Sequence, residues 1–504
     1  MATKKTTVKE NAGKKRKEKP EIVTPEITVT RKRRIVFAGS EAAPFIATGG
    51  LADVLGSLPA ELAKSEENEI SVILPLYSKI SGEYRKNFRF IGSFEVPLSW
   101  RRQYCGVFHY LYRNVNFYFI DNEYYFKRDG NIYGFYDDGE RYAFFSKAIL
   151  ETIGHFMLWP DVLHCNDWQT AAAVIYLKSI YGNYERYKDI RTVFTIHNIE
   201  YQGKYGLDCM DDLFGFPGWV KDTVEFDGCI NLMKGAIEMS DIVNTVSPTY
   251  AEEIKNAYFA HGLEGIISRN AGKLRGILNG IDYEYYNPQT DRYLFANYSP
   301  DHMEGKAVCK EALQKMLNLP VKDVPMIAVI SRLVAHKGFD LVKAVIENVL
   351  NQDVQFVILG TGDRGYEAYF SQLANQYRGK CVAIIEFNQD LSRKIYAGAD
   401  FFLMPSKMEP CGLSQMIASR YGTVAIVRGT GGLNDSIQPL YEGSGNGFSF
   451  RNYNAHDMLY VINQAIRTYY DKEAFLSLRA RAMATDFSWA HSAGEYEEVY
   501  RKLI

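Results

Sequence analysis

Long apolar runs are missing from this chain of 504 residues. None approaches the roughly 20 residues needed to cross a bilayer, which excludes a helical membrane span. Cysteine is scarce and unpaired in pattern. The seven, at positions 105, 165, 209, 229, 309, 381 and 411, form no C-x-x-C pair. An odd count without that spacing excludes a disulfide framework and a zinc site, and fits a reducing compartment. A strong overall charge is also absent, the net value being −2. The balance is uneven, however: residues 1–34 hold twelve Lys and Arg against four Glu, so residues 35–504 carry a net −10. A folded part this acidic is excluded as a nucleic-acid binder in its own right. The first 34 residues lack aromatic side chains and any helical apolar stripe, and read as a disordered basic tail. They have no apolar h-region and no serine, so neither a secretory signal nor a transit peptide is expected, and the expected compartment is the cytoplasm. The tail serves solubility, or else an anionic partner or membrane surface.

What is present is a globular composition, 47% hydrophobic and 23% charged. The length calls for several domains. Thirty-six tyrosines suit sugar stacking and core packing equally. From Ile35 onward, short β-branched runs recur at Ile70–Leu74, Asp161–Leu163, Thr192–Ile196 and Ile242–Val246, with helical stretches such as Leu51–Lys64 and Tyr142–Ile153 between some of them. Strands alternating with helices predict parallel βαβ units. Residues 88–126 alternate tightly and predict inserted antiparallel hairpins. A second series, MIAVISRL, VQFVILGTGD, CVAIIEF, DFFLMPS and VAIVRG, starts at Met326 and predicts a second doubly wound sheet. The join falls near ILNGIDYEYYNP, with turns at Asn279, Gly280 and Pro288. Two such sheets place their carboxyl ends at a common cleft, where ligands of open α/β sheets bind.

Chemistry-bearing segments cluster at those strand ends. Gly49-Gly50, flanked by Glu41 and Asp53, lets bare backbone approach a phosphate at a helix start carrying about half a positive charge; Asp53 also reads as a simple dipole partner. His164, Asn166, Asp167 and Trp168 follow a strand, an arrangement that suits a sugar and suits core packing as well. His197 directly follows another. In the second series Arg332 and Lys337 lie between strand and helix, where both can meet one anion: Arg through a fork, Lys as a point charge. LGTGD at 359–363 is a weak glycine turn. The most specific stretch is PSKMEPCGLSQ: Glu409 on a rigid turn can grip hydroxyls while Gly412-Leu413 open a helix toward a phosphate. Thr430-Gly431-Gly432 add another turn.

Taken in order, SEAAPF…TGGLADV, HCNDW, TIHN, NGID, SRL…KG, GTGD, EPCGL and TGGL make the chain resemble the bacterial glycogen synthases and plant starch synthases from Ile35 to the C-terminus. That resemblance implies an α/β GT-B fold: two Rossmann-like domains facing across a cleft, here 35–284 and 285–484, with a terminal helix, 485–504, crossing back. It implies ADP-glucose as donor, an α-glucan non-reducing end as acceptor, retention of configuration, and neither metal nor cofactor. Residue by residue, it implies that Arg332 and Lys337 bind the diphosphate and that Glu409 holds the donor glucose. His197 lies against that sugar with its carbonyl toward the anomeric carbon, and Asp53 orients hydroxyls near the acceptor. Gly49, Gly50, Gly431, Gly432 and Leu433 contact phosphate, Asn279 lies in the cleft, and the leaving phosphate accepts the acceptor's proton. The sequence departs from the family at Ala47, where lysine is usual, at Glu386, Phe387 and Gln389, at Ala425 and at Gln169. One lost charge-assisted contact at position 47 is worth about 1.5–3 kcal/mol. The alternative these departures raise is a weakly catalytic homologue that binds glucan and nucleotide as a scaffold. Oligomeric state leaves no mark in the sequence.

Overall fold

The computed structural model describes residues 1–7, 31–440 and 445–504. Most of the basic tail, residues 8–30, lies outside the described residues. Arg33 and Arg34, counted with that tail by composition, are the first residues of a strand.

Among the described residues the first sheet has nine strands: β1 (Arg33–Ala38), β2 (Asn68–Pro75), β3 (Arg89–Leu98), β4 (Arg101–Tyr112), β5 (Val115–Asp121), β6 (Val162–Asn166), β7 (Arg191–Ile196), β11 (Ile242–Thr245) and β12 (Leu274–Gly276). Their spatial order is β12-β11-β7-β6-β1-β2-β5-β4-β3. Pairing is parallel from β12 to β5 and antiparallel through β4 to β3. The central strands are buried on both faces, as at β2, where Val72–Leu74 run apolar rather than alternating. The predicted hairpins of 88–126 continue this sheet: β5 pairs with β2, and β3 forms an edge with a register shift at Phe90/Gly92 and a proline, Pro97, features typical of edges. A small antiparallel sheet joins β8 (Lys204–Gly206), β10 (Cys229–Asn231) and β9 (Glu225–Phe226).

The strands of the second sheet are β13 (Met326–Ile330), β14 (Gln355–Leu359), β15 (Cys381–Ile384), β16 (Phe401–Met404), β17 (Val424–Arg428) and β18 (Phe448–Phe450). They are wholly parallel, in the order β15-β14-β13-β16-β17-β18. The helix Phe339–Leu350 shows how the pattern drives packing. Its buried residues, Phe339, Leu341, Val342, Val345, Ile346, Val349 and Leu350, fall on one stripe at helical spacing. Each such side chain, fully buried, contributes about 1.5–3 kcal/mol.

The chain crosses between the sheets twice, and the two crossings lie side by side. Ile281 N–H donates to Phe487 O at 2.8 Å, and Phe487 N–H donates to Tyr283 Oη at 2.8 Å. A Cβ on Gly280 would sit 2.7 Å from the nitrogen of Trp489, so only glycine permits this approach. Beyond the second crossing, the helix Trp489–Leu503 returns to the first sheet. There Tyr500 Oη pairs with His164 Nδ1 at 2.8 Å, and Asn244 donates to Tyr496 Oη at 2.8 Å. Among the described residues no helix is long and apolar enough to cross a membrane.

Candidate active site

The floor of the first domain is built at the carboxyl ends of β1, β6 and β7. After β1, buried Glu41 accepts from Thr48 N–H at 2.5 Å and Thr48 Oγ1 at 2.8 Å, which folds the loop back and presents Ala47 to Gly50 as an exposed lip. Tyr133 Oη pairs with Ser40 Oγ beside it at 2.7 Å. Asp53 sits in the first turn of the helix Gly50–Leu62. Burial, then the charges of Glu41 and Asp282, push its carboxyl up to about 6.

After β6, Asn166 is buried and ties three strands. Its amide donates to Ala38 O at 3.1 Å and to His164 O at 3.3 Å, while its Oδ1 meets His197 Nε2 at 2.9 Å. Asp167 accepts the His197 N–H at 2.7 Å. Its φ of +56° places a non-glycine residue in a sparsely occupied region, a strain of about 1–3 kcal/mol that such sites carry. His197 is therefore held at ring and backbone together. Burial lowers its imidazole to about 3, so it is neutral, and burial raises Asp167 to about 7 against the opposing N–H bonds of His197 and Asn198. The Trp168 indole packs edge-on against Tyr142, centroids 5.2 Å apart, and against Gly203, the core role left open by the sequence.

The second domain supplies the cations. Lys337 Nζ donates to both oxygens of Glu409, at 2.7 and 3.0 Å, and Ser406 Oγ donates to the same carboxylate at 2.9 Å. Glu409 is 7% exposed. Its turn is braced from two sides: Lys407 N–H donates to His336 O at 2.8 Å, and Arg428 donates to Lys407 O at 2.6 Å and Ser406 O at 3.3 Å. Arg332 is exposed, and among the described residues its side chain makes no hydrogen bond or ion pair. Burial, then the charges of Lys337 and Arg332, lower the imidazole of His336.

The two halves touch where Leu413 Cδ1 lies 4.0 Å from the position a Cβ on Gly50 would take. Leu413 thus stands opposite Gly50. Asn279, 5% exposed, lies on the first crossing beside Cys411 with a buried Oδ1 that has no partner among the described residues. Gly431 has φ +46°, and a Cβ there would come within 2.0 Å of Glu409 O. Its N–H donates to Glu253 at 3.1 Å, and Gly432 N–H donates to Pro410 O at 3.1 Å. Thr430 Oγ1 donates to Glu253 at 2.8 Å. Leu433 is fully buried with Ala425, Val427 and Ile437. The N–H groups that the motif offered to phosphate are thus engaged within the protein. Glu253, Ser406 and Arg428 were not singled out by sequence. For Glu253 the signal available was Ser247-Pro248, a helix start that places Thr249 and Glu253 one turn apart.

Residues 34–269 match the starch synthase catalytic domain model, and residues 312–482 match that of glycosyl transferases group 1. A glycogen synthase of Geobacillus thermodenitrificans is 49% identical over 476 residues, covering 94% of this chain and 98% of that protein. One of Clostridium novyi is 49% identical over 476 residues, covering 93% and 99%. The catalytic domain of starch synthase IV from Arabidopsis thaliana, solved with ADP and acarbose, superposes with a TM-score of 0.86 at 32% identity, covering 94% of this chain and 99% of that one. The two α/β sheets, one mixed and one wholly parallel, and the returning helix are the GT-B fold. With paired domain models and relatives this similar along nearly its whole length, the chain belongs to the starch synthase and glycogen synthase family of glucosyltransferases.

Proposed function

We propose that this protein extends an α-1,4-glucan in the cytoplasm, moving glucose from ADP-glucose to the non-reducing end with retention of configuration. The observation that carries the reading is the Lys337–Glu409 pair, set on neighbouring loops of the second sheet, with the Glu409 loop running on to Leu413, which approaches Gly50 of the first domain. A diphosphate entering there takes Lys337, joined by the exposed Arg332, and these cations offset the charge that grows on the leaving group. Glu409, released from Lys337, accepts from the hydroxyls of the donor glucose. Asn166 and Asp167 hold neutral His197 so that its backbone carbonyl faces the anomeric carbon. Asp53 orients hydroxyls on the acceptor side, and Asn279 offers its Oδ1 to the sugar or nucleotide. Backbone at Gly49, Gly50, Gly412 and Leu413 approaches the phosphates. The leaving phosphate takes the acceptor's proton, so no further base is required. ADP bound to the Arabidopsis relative supports adenine as the donor base.

Ala47 favours a second reading, in which glucan and nucleotide bind without turnover. One assay separates the two. Purified protein is given ADP-glucose or UDP-glucose with glycogen, and incorporated glucose is followed. Incorporation from ADP-glucose that disappears in Glu409→Ala supports the synthase. Glucan binding with no incorporation from either donor rejects it.

A further inference from the structure

Two short helices, one from each domain, cap each other across the cleft. Pro248–Glu253 follows β11 in the first domain, and Gly431–Ser436 follows β17 in the second. At the start of the first helix, Thr249 N–H and Oγ1 donate to the two oxygens of Asp435, at 2.8 and 2.5 Å, and Asn434 donates to Thr249 Oγ1 at 3.0 Å. At the start of the second, Thr430 Oγ1 and Gly431 N–H donate to Glu253, at 2.8 and 3.1 Å. Each helix sends a carboxylate from near its end to the opening N–H of the other, where backbone donors lack partners and the helix dipole favours negative charge. The contact is thus self-complementary and spans the two domains. It also reaches the turn bearing Glu409: Ser247 Oγ donates to Pro410 O at 2.7 Å, and Gly432 N–H donates to Pro410 O at 3.1 Å and Glu409 O at 3.3 Å.

We infer that Glu253, with Thr249 and Asp435, is a positioning residue that couples closure of the cleft to the placement of Glu409. The inference rests on the proposed role of Glu409 in holding the donor glucose. When the domains close, the reciprocal caps form and press the Thr430-Gly431 turn against the carbonyl of Glu409, so the carboxylate is set only once the first domain is in place. When they open, both helix starts lose their carboxylates and the turn loses Ser247. None of these side chains needs to touch substrate.

The test compares Glu253→Ala, Glu253→Gln, Asp435→Ala and the Glu253→Ala, Asp435→Ala double variant with wild type, each checked for an unchanged unfolding transition. Turnover of ADP-glucose on glycogen and small-angle scattering without nucleotide are both measured. Glu253→Ala is expected to lower kcat by about tenfold to a hundredfold, the cost of a slightly misplaced reacting group, while KM for the donor stays near wild type. Glu253→Gln, which keeps an oxygen for Gly431 and Thr430, recovers most of that loss. Asp435→Ala behaves like Glu253→Ala, and the double variant loses less than the two single effects multiplied, because both cut one clasp. Scattering shows a larger radius of gyration in both alanine variants. Wild-type kcat and an unchanged scattering profile in Glu253→Ala would overturn the inference. A wild-type protein inert toward every nucleotide-glucose sinks the proposed activity instead; scattering then decides the clasp alone, expansion of Glu253→Ala supporting it and an unchanged profile rejecting it.

Discussion

Lys337 and Glu409 neutralise each other, the ammonium bridging both carboxylate oxygens at 2.7 and 3.0 Å although 72 positions separate them in the chain. With their side chains 19% and 9% exposed, neither is well solvated. Lys337→Met leaves Glu409 with Ser406 as its one side-chain donor among the described residues and is expected to cost about 1–3 kcal/mol of stability. Adding Glu409→Gln should return part of that loss, because the stranded charge is gone. Urea unfolding of the two variants checks both statements. A destabilisation that the second substitution deepens would contradict the pairing.

The carboxyls of the first domain predict an inverted pH dependence. Asp53 is raised to about 6 and Asp167 to about 7, chiefly by burial. A carboxyl raised in the fold contributes stability that is present below its unfolded value near 4 and is lost as pH rises through the folded value. Between about pH 4 and 7 these two groups should therefore weaken the fold as pH increases. Asp53→Asn removes its share, so the stability difference between variant and wild type should grow by about 1–3 kcal/mol across that window. Unfolding at stepped pH measures it, and a flat difference would refute the burial argument.

His197 is expected to stay uncharged wherever the enzyme is folded and active, its imidazole being lowered to about 3. Its ring proton resonances should show no titration between pH 5 and 8. An acid limb in the rate profile belongs to the raised carboxyls, and Asp167→Asn should move it while ring resonances stay still. Asn166→Ala frees the ring from its 2.9 Å partner and should lower kcat about tenfold through misorientation.

Ala47 stands on the exposed lip beside Gly49. Ala47→Lys is expected to lower KM for the donor about tenfold or more by adding one charge-assisted contact to the diphosphate. The gain should shrink as salt is raised. Unchanged donor kinetics would show that backbone and second-domain cations already meet the whole diphosphate.

Gly431→Ala should be far more damaging than its chemistry suggests. The left-handed φ and the 2.0 Å approach to Glu409 O both exclude a Cβ. We expect a stability loss of about 1 kcal/mol or more and a severe fall in kcat, from thermal unfolding and turnover. A variant with normal activity would mean the turn is free to move.

Much of the architecture was legible because parallel strands covered on both faces must be apolar throughout: Thr192–Ile196 and the run from Val354 announce themselves by composition. The hairpins of 88–126 were legible as antiparallel, but not as an extension of the first sheet, because strand order depends on which edge is free. At the site, motif neighbours read alike while their side chains part company. Trp168 turns to Tyr142 and Leu433 to Val427, whereas Asn166 and Glu409 face polar partners.

The amino-acid sequence alone determined two α/β domains, the families of turn that end their strands, and the types of group, cations, carboxylates and glycines, gathered at those ends. These are properties of short stretches, governed by periodicity and local backbone preference. Tertiary structure decided the pairings: Lys337 with Glu409, Asn166 with His197, Glu253 with Gly431, and Tyr500 with His164. Hydrogen bonds and ion pairs act over about 3 Å, so residues far apart in the chain acquire partners only after two sheets and a double crossing have brought them within that reach.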